Sequence, residues 1–381
     1  MVGNAKVRIT ISRGAFIAVL LLMALFGFGG CENKDSLDEG LFTVLVWNVQ
    51  TMFDGEEEGN EYRDFRETSG WNSEKYEARL LSLGEAIIHM RPMAQPLAEE
   101  KNTVPDFIGL VELENAQVLE NLVQGPLSKY GYTETFFANL PGAPLGLGVI
   151  SRFPLTEARA HSISLDRETD PRPVLEVHIE PWGEPLVFFI CHWKSKVGGE
   201  DATETLRRAS ARVIRRRLKE LREEKSDVPV IVMGDLNENF DGFYRRQSRI
   251  ITSLLPDSPE AADLVVAEAA LSAGISEGYL VLSMEKPPQA RYFDSSIPVL
   301  YSPWGNELND GSYFFRDNWE TIDHFLLSAE LFNGQGWDYE TSLVLNSSPF
   351  TNSSGRPYSY NPRTGRGLSD HLPLILFLRS N

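Results

Sequence analysis

Eight short apolar runs punctuate this chain at residues 44–47, 107–111, 145–150, 174–179, 186–191, 229–233, 322–327 and 374–378, separated by longer mixed segments. A run that is apolar at nearly every position reads as a strand buried on both faces. Helical patterns lie between the runs. Residues 204–225 space Leu206, Ala209, Val213, Ile214, Leu218 and Leu221 at intervals of three and four, and residues 73–90 carry Leu80, Leu83 and Ile87 on one side. The second pattern is expected to stop before Pro92. Arg207, Arg208, Arg212, Arg215, Arg216 and Arg217 fall on other faces of the longer helix and read as a solvated surface rather than a nucleic-acid groove. Strands interleaved with helices predict a layered α/β domain.

The ends of these runs carry the chemistry. Trp47-Asn48, Val111-Glu112, Cys191-His192 and Met233-Gly234-Asp235-Leu236-Asn237 each close on a polar group; Asp370-His371 stands just ahead of the last run, and Asp323 lies inside its own. If the strands share one sheet, these ends meet at one edge of it, a usual location for sites in layered α/β folds. Polar groups inside apolar runs cost free energy unless they are paired or metal-bound. Hard oxygen ligands from Glu112 and an aspartate suit Mg²⁺, Mn²⁺ or Ca²⁺, and two cysteines in the whole chain exclude a thiolate zinc site. A divalent cation neutralises charge developing on a phosphoryl group, while imidazoles and aspartates move protons. The inventory fits metal-assisted phosphoester hydrolysis.

Composition bounds the partners. The chain has 381 residues, 42% of them hydrophobic, enough for a sizeable core, and a net charge of -18 that repels a polyanion at long range. Contact with a nucleic acid must then be local or bridged by metal. Lys6, Arg8 and Arg13 precede an apolar stretch at 15–28, the order of an export signal. Phe28-Gly29-Gly30-Cys31 ahead of polar Glu32-Asn33-Lys34-Asp35 resembles a bacterial lipoprotein processing site, with Cys31 acylated. The expected organisation is a lipoprotein signal at 1–30, a tether at 31–40 and one domain at 41–381; a plainly cleaved signal and an uncleaved anchor are the alternatives. With Cys31 acylated, Cys191 has no intramolecular disulfide partner.

Six segments, in order, carry a resemblance. Trp47-Asn48-Val49-Gln50, Pro105-Asp106-Phe107-Ile108-Gly109-Leu110-Val111-Glu112, Gly148-Val149-Ile150-Ser151-Arg152-Phe153-Pro154, Gly234-Asp235-Leu236-Asn237, Ile322-Asp323-His324-Phe325-Leu326-Leu327-Ser328 and Ser369-Asp370-His371-Leu372-Pro373 resemble the signature segments of the endonuclease/exonuclease/phosphatase family, the deoxyribonuclease I-like enzymes. His192-Trp193-Lys194-Ser195-Lys196 with Gly198-Gly199 further resembles its branch of bacterial extracellular nuclease-like proteins. The resemblance implies a four-layer α/β sandwich, two packed mixed β-sheets flanked by helices. It implies Glu112 as principal metal ligand with Asn48 and Asp370 beside it, and His371 on the scissile phosphate, oriented by Asp323. It assigns Asp235 to the attacking water, Asn237 to a phosphate oxygen and His192 to the opposite side of the phosphate. Many members have an acidic residue where this chain has Gln50, so one metal is expected rather than two.

Plainer readings stand beside these. His89, His161 and His178 read as packed or surface histidines, and His324 should point away from the site of Asp323 because adjacent strand residues face oppositely. Asp235 and Asn237 are also common turn residues. Lys194 and Lys196 either grip substrate phosphates or form a solvated pair. Tyr313-Phe314-Phe315 and Trp319 read as core packing in preference to base stacking. The leading expectation is a monomeric nuclease acting on DNA or RNA, exported and held by its lipid on the bacterial envelope, with no protein partner. The alternatives are a phosphatase or phospholipase-C-like hydrolase of inositol phosphates or sphingomyelin, and a non-catalytic surface-binding lipoprotein.

Overall fold

Each of the eight apolar runs forms a strand. The computed structural model describes residues 40–93, 104–163, 165, 171–224, 227–271 and 277–381; the expected export signal, Cys31 and the tether up to residue 39 lie outside them. In chain order the strands are β1 (Leu41–Met52), β2 (Phe107–Leu113), β3 (Glu134–Ala138), β4 (Gly146–Ser151), β5 (Leu155–His161), β6 (Val174–Ile179), β7 (Leu186–His192), β8 (Val230–Asp235), β9 (Leu254–Pro256), β10 (Leu280–Ser283), β11 (Val299–Tyr301), β12 (Tyr313–Phe315), β13 (Asn318–Glu320), β14 (Asp323–Leu327), β15 (Trp337–Val344) and β16 (Leu374–Ser380). One mixed sheet runs β15-β16-β1-β2-β4-β3 and a second runs β5-β6-β7-β8-β14-β11-β10-β9, while β12 and β13 form a separate hairpin.

Helices cover the outer face of each sheet, which gives the four layers. α1 (Ser73–Met93) and α2 (Ala116–Gln124) set Leu83, Ile87, Met90, Val118 and Leu122 against Leu45, Trp47, Ile108 and Leu110 of the first sheet. α3 (Glu200–Glu224) sets Ala209, Ile214, Leu218 and Leu221 against Val187, Phe189, Val230 and Val232 of the second. The short α4 (Gly242–Arg245) and α5 (Pro259–Leu271) close the β9–β11 end around Phe243, Leu255, Ala261 and Val281. Between the sheets, Phe107 stacks on Phe188 with ring centroids 4.2 Å apart; burial of each such ring contributes about 2 kcal/mol. Gly109 leaves the space that Met233 fills, since a Cβ there would lie 2.5 Å from the Met233 methyl.

Three expectations need correction. The polar strand ends do not share one sheet: β1 and β2 belong to the first, β7, β8 and β14 to the second. α1 continues past Pro92 to Met93, because a proline in the last turn removes only one terminal hydrogen bond. The arginines of α3 are not all on a solvated face: Arg216 is exposed as expected, but Arg207 and Arg217 are not. Arg207 is fully buried, 2.7 Å from Glu204 and 3.3 Å from Glu238, and Arg217 is buried with both its Nε and Nη2 2.9 Å from Glu176. Glu176 also meets His161 at 2.6 Å and His178 at 2.7 Å, so those two histidines are structural. Buried guanidinium groups are tolerated because each has a carboxylate partner.

Candidate active site

Strand alternation aims most of the polar residues into the space between the sheets. In β1, Trp47 and Val49 face the helices, so Asn48 faces inward. In β7 and β8 the outward residues are Phe189, Cys191, Val230 and Val232, which turns His192 and Asp235 inward, and both pair in register, His192 with Asp235 and Asp235 with Asp323. Glu112 breaks the rule. Ile108, Leu110 and Leu113 of β2 all face the helices, and strict alternation would send Glu112 with them. A register shift between Val111 and Leu113 and a left-handed backbone at Glu112, φ +70°, re-aim its carboxylate toward Asn48. Such a backbone costs about 1–2 kcal/mol in a non-glycine residue, a sign of functional strain. Gly234 is required where β8 ends: its φ is +130°, and a Cβ would lie 2.0 Å from the Cys191 carbonyl oxygen.

The gathered groups form two halves that meet at Asp235. In one, the Asn48 amide donates to Glu112 Oε1 and to Asp235 Oδ2, both at 3.1 Å, tying the two sheets together. The Thr51 N–H donates to Glu112 Oε2 at 2.7 Å. His192 Nε2 stands 3.7 Å from Glu112 Oε1 and 3.6 Å from Asp235 Oδ2, and its buried Nδ1 has no hydrogen-bond partner. In the other half, His371 Nδ1 lies 2.8 Å from Asp323 Oδ2, which also accepts from the Ser312 hydroxyl at 2.6 Å. His371 Nε2 points to Asp235 Oδ2, 3.9 Å away, and the Tyr313 ring lies nearly parallel to the imidazole at 4.5 Å. Asn237 donates its N–H to Asp235 Oδ1 at 2.9 Å and its amide to the Trp193 carbonyl at 3.2 Å.

These surroundings push the titrating groups apart. Burial alone would depress the His371 imidazole, but Asp323, Asp235 and Asp370 outweigh it and hold it up at about 10. Burial depresses His192 well below the ordinary range, helped by Arg172, His371 and Lys194. Asp235 is pushed up to about 7 by burial first and by Asp323 next. Burial likewise raises Asp370, with Glu112 and Asp323 adding to it. At neutral pH one imidazole is therefore charged and the other neutral.

The donor set fits a hard divalent cation. Glu112, Asp235, Asp323 and Asp370 place four carboxylates in one electrostatic neighbourhood, and their repulsion is what a bound cation would relieve. Glu112 is a fifth exposed, whereas Asp235 and Asp323 are buried. Asp235, Asp323 and His371 also present ligand atoms within 4.8 Å of one another. Within that trio His371 Nδ1 is bonded to Asp323 and its Nε2 stands 3.9 Å from Asp235, so the carboxylates of Asp235 and Glu112 are the groups on either side of the space an ion would enter.

The remaining expectations divide. Lys194 lies close enough to depress His192, whereas Lys196 is 3.0 Å from Glu200 and 4.0 Å from Glu320. His324 turns away to the Glu238 carbonyl at 2.8 Å and is kept neutral by burial. Gln50 faces the loop before β16: its Oε1 accepts from the Tyr360 N–H at 2.7 Å and the Ser359 hydroxyl at 3.1 Å. Sequence reasoning missed Arg79, Ser312, Arg172 and the contact of Tyr313 with His371. Arg79 reaches from α1 to the carbonyls of Val49, Gln50 and Thr51, holding Gln50 and Thr51 in their left-handed conformations, φ +53° and +52°.

The sequence pattern of the endonuclease/exonuclease/phosphatase family matches residues 43–271. No curated protein matches the sequence. Among solved structures, a family protein from Bacteroides thetaiotaomicron is 15% identical, with 90% of this chain and 98% of that one covered and a TM-score of 0.47. A mannosyl-6-phosphatase from Bacteroides thetaiotaomicron is 15% identical, with 88% and 99% covered and a TM-score of 0.48. The human Nocturnin catalytic domain is 16% identical, with 90% and 94% covered and a TM-score of 0.46.

Proposed function

Because the chain belongs to the endonuclease/exonuclease/phosphatase family, divalent-metal-dependent hydrolases of phosphoester bonds, we propose that it is a nuclease that cleaves DNA or RNA phosphodiesters. Lipidation at Cys31 holds it on the envelope surface. The observation that carries the reading is the meeting of a charged imidazole, His371, and a neutral one, His192, on either side of Asp235, next to the solvent-open carboxylate of Glu112.

Glu112, with Asp370 and Asn48, would hold Mg²⁺ or Mn²⁺, which neutralises charge on the phosphate. The chain's own residues do the rest. Asp235, with a proton affinity near neutrality, takes a proton from the attacking water, and the Asn237 N–H fixes its carboxylate. His371, kept protonated by Asp323, donates a hydrogen bond to a non-bridging phosphate oxygen, where negative charge grows. His192 holds the opposite side of the phosphate, and Lys194 adds positive charge there; as the water oxygen bonds to phosphorus, the bond to the leaving oxygen breaks on that side and the leaving oxygen takes its proton from solvent. The acidic chain repels a polyanion at a distance, so binding relies on these contacts.

Plasmid and oligonucleotide cleavage with Mg²⁺ or Mn²⁺, with and without chelator, tests this. The expected result is metal-dependent nicking lost in His371→Ala and Glu112→Gln. Cleavage that persists in chelator, or in both variants, defeats the proposal.

A further inference from the structure

The β12–β13 hairpin has no part in the chemistry above, yet it is strapped to it. Tyr313 bridges to His371, and the Leu372 N–H donates to the Ser312 carbonyl at 2.7 Å. Alternation along β12 sends Phe314 to the back, edge-on to Trp319 at 5.2 Å and beneath the Arg356 guanidinium at 4.0 Å. Tyr313 and Phe315 share the face that continues from His371. Their rings make a column: His371 to Tyr313 at 4.5 Å and 28°, then Tyr313 to Phe315 at 6.1 Å and 16°.

The outer end of that column does little for the fold. Phe315 is 47% exposed, and the Arg316 guanidinium sits 5.0 Å from its ring. The turn beyond it, Arg316-Asp317, has both residues left-handed, φ +47° and +65°. A two-residue hairpin turn of this kind favours Asn or Gly, and an arginine there carries backbone strain. An exposed aromatic ring, a cation held past it at a strained turn, and an anchored line of rings leading to the phosphate-binding imidazole have one chemistry in common. Aromatic faces stack bases, and a neighbouring arginine meets the backbone phosphate.

We propose that Phe315, backed by Tyr313, and Arg316 form a subsite that stacks an unpaired base of a nucleotide flanking the cleaved bond, with Arg316 on the adjoining phosphate. This rests on the nuclease reading of the site and narrows it to single-stranded nucleic acid, because duplex bases are already stacked on each other and cannot lie on the column.

The test compares the full chain, with Mg²⁺, on a single-stranded thymidine oligonucleotide and on an oligomer of equal length built from abasic tetrahydrofuran residues. The wild type is expected to cleave the first with a kcat/KM higher on the order of tenfold. Phe315→Ala removes that preference and leaves abasic cleavage unchanged, and Phe315→Tyr retains it. Arg316→Gly, which relieves the turn and so preserves the fold, flattens the salt dependence on the thymidine oligomer by about one unit of log-log slope. Equal wild-type cleavage of both oligomers overturns the subsite and leaves the nuclease reading intact. Cleavage of neither, with either metal, overturns both. Binding to phosphatidylcholine vesicles that Phe315→Ala abolishes, with the thymidine preference unchanged, makes the hairpin a lipid contact and also overturns the subsite.

Discussion

Asp323→Asn isolates the electrostatics of the His371 pair. The substitution keeps the shape and an acceptor oxygen, while removing the charge that faces His371 Nδ1 at 2.8 Å. A hydrogen bond to a charged group is worth about 1.5–3 kcal/mol, and each pKa unit is about 1.4 kcal/mol. The imidazole, at about 10 in the native protein, should therefore fall by about one to two units, with burial opposed only by Asp235 and Asp370. The stability effect has a definite sign. A raised imidazole pKa stabilises fully below its unfolded value of about 6.5, and the contribution is lost as pH rises through about 10. Urea unfolding of the metal-free protein should show the variant about 2 kcal/mol less stable at pH 6, with the difference shrinking steadily above pH 8. Proton NMR of the His371 ring gives the pKa directly, and kcat should fall by about 10²–10⁴. An unmoved His371 titration, or a stability gap that persists unchanged at alkaline pH, refutes the reasoning.

Three further outcomes follow from particular contacts. Glu176 would be raised by burial, but His161, His178 and Arg217 outweigh it and hold it far below the ordinary carboxylate range, so its stabilisation is present above about pH 4 and lost as pH falls through the folded value. Glu176→Gln should cost about 3 kcal/mol at pH 7, and urea midpoints of the two proteins should converge in acid; a gap independent of pH contradicts this. Gly234→Ala forces a Cβ against the Cys191 carbonyl at a φ of +130° and should destabilise by at least about 3 kcal/mol, whereas a urea midpoint near wild type would mean that β8 can shift. Gln50→Glu should leave Mg²⁺ stoichiometry at one in calorimetry, because residue 50 is bonded to Tyr360 and Ser359; a second bound ion would show that the side chain reaches the site.

The legible part of this chain is what single positions encode. All eight central strands were visible because a continuous apolar run has few other fates, and Asn48, His192, Asp235 and Asp323 stood out as polar residues where polarity is costly. The edge strands β5 and β15 are half-exposed and β9 to β13 are three or four residues long, so they leave little pattern. Arg217 was misread because its burial depends on a partner remote in sequence, Glu176, which lies 41 residues before it. The inward turn of Glu112 comes from a backbone dihedral that no side-chain pattern announces. Ser312 and Arg79 act by distance in space alone, across 11 and about 30 residues.

Arg79 ties the outer helix α1 to the end of β1. Its guanidinium, buried and stacked 3.8 Å from the Tyr360 ring, grips the last turn of backbone in β1. That backbone in turn offers the Thr51 N–H to Glu112. The height of the outer helix above its sheet is thereby written into the position of the Glu112 carboxylate, so a change in the packing of α1 displaces that carboxylate without touching any residue beside it.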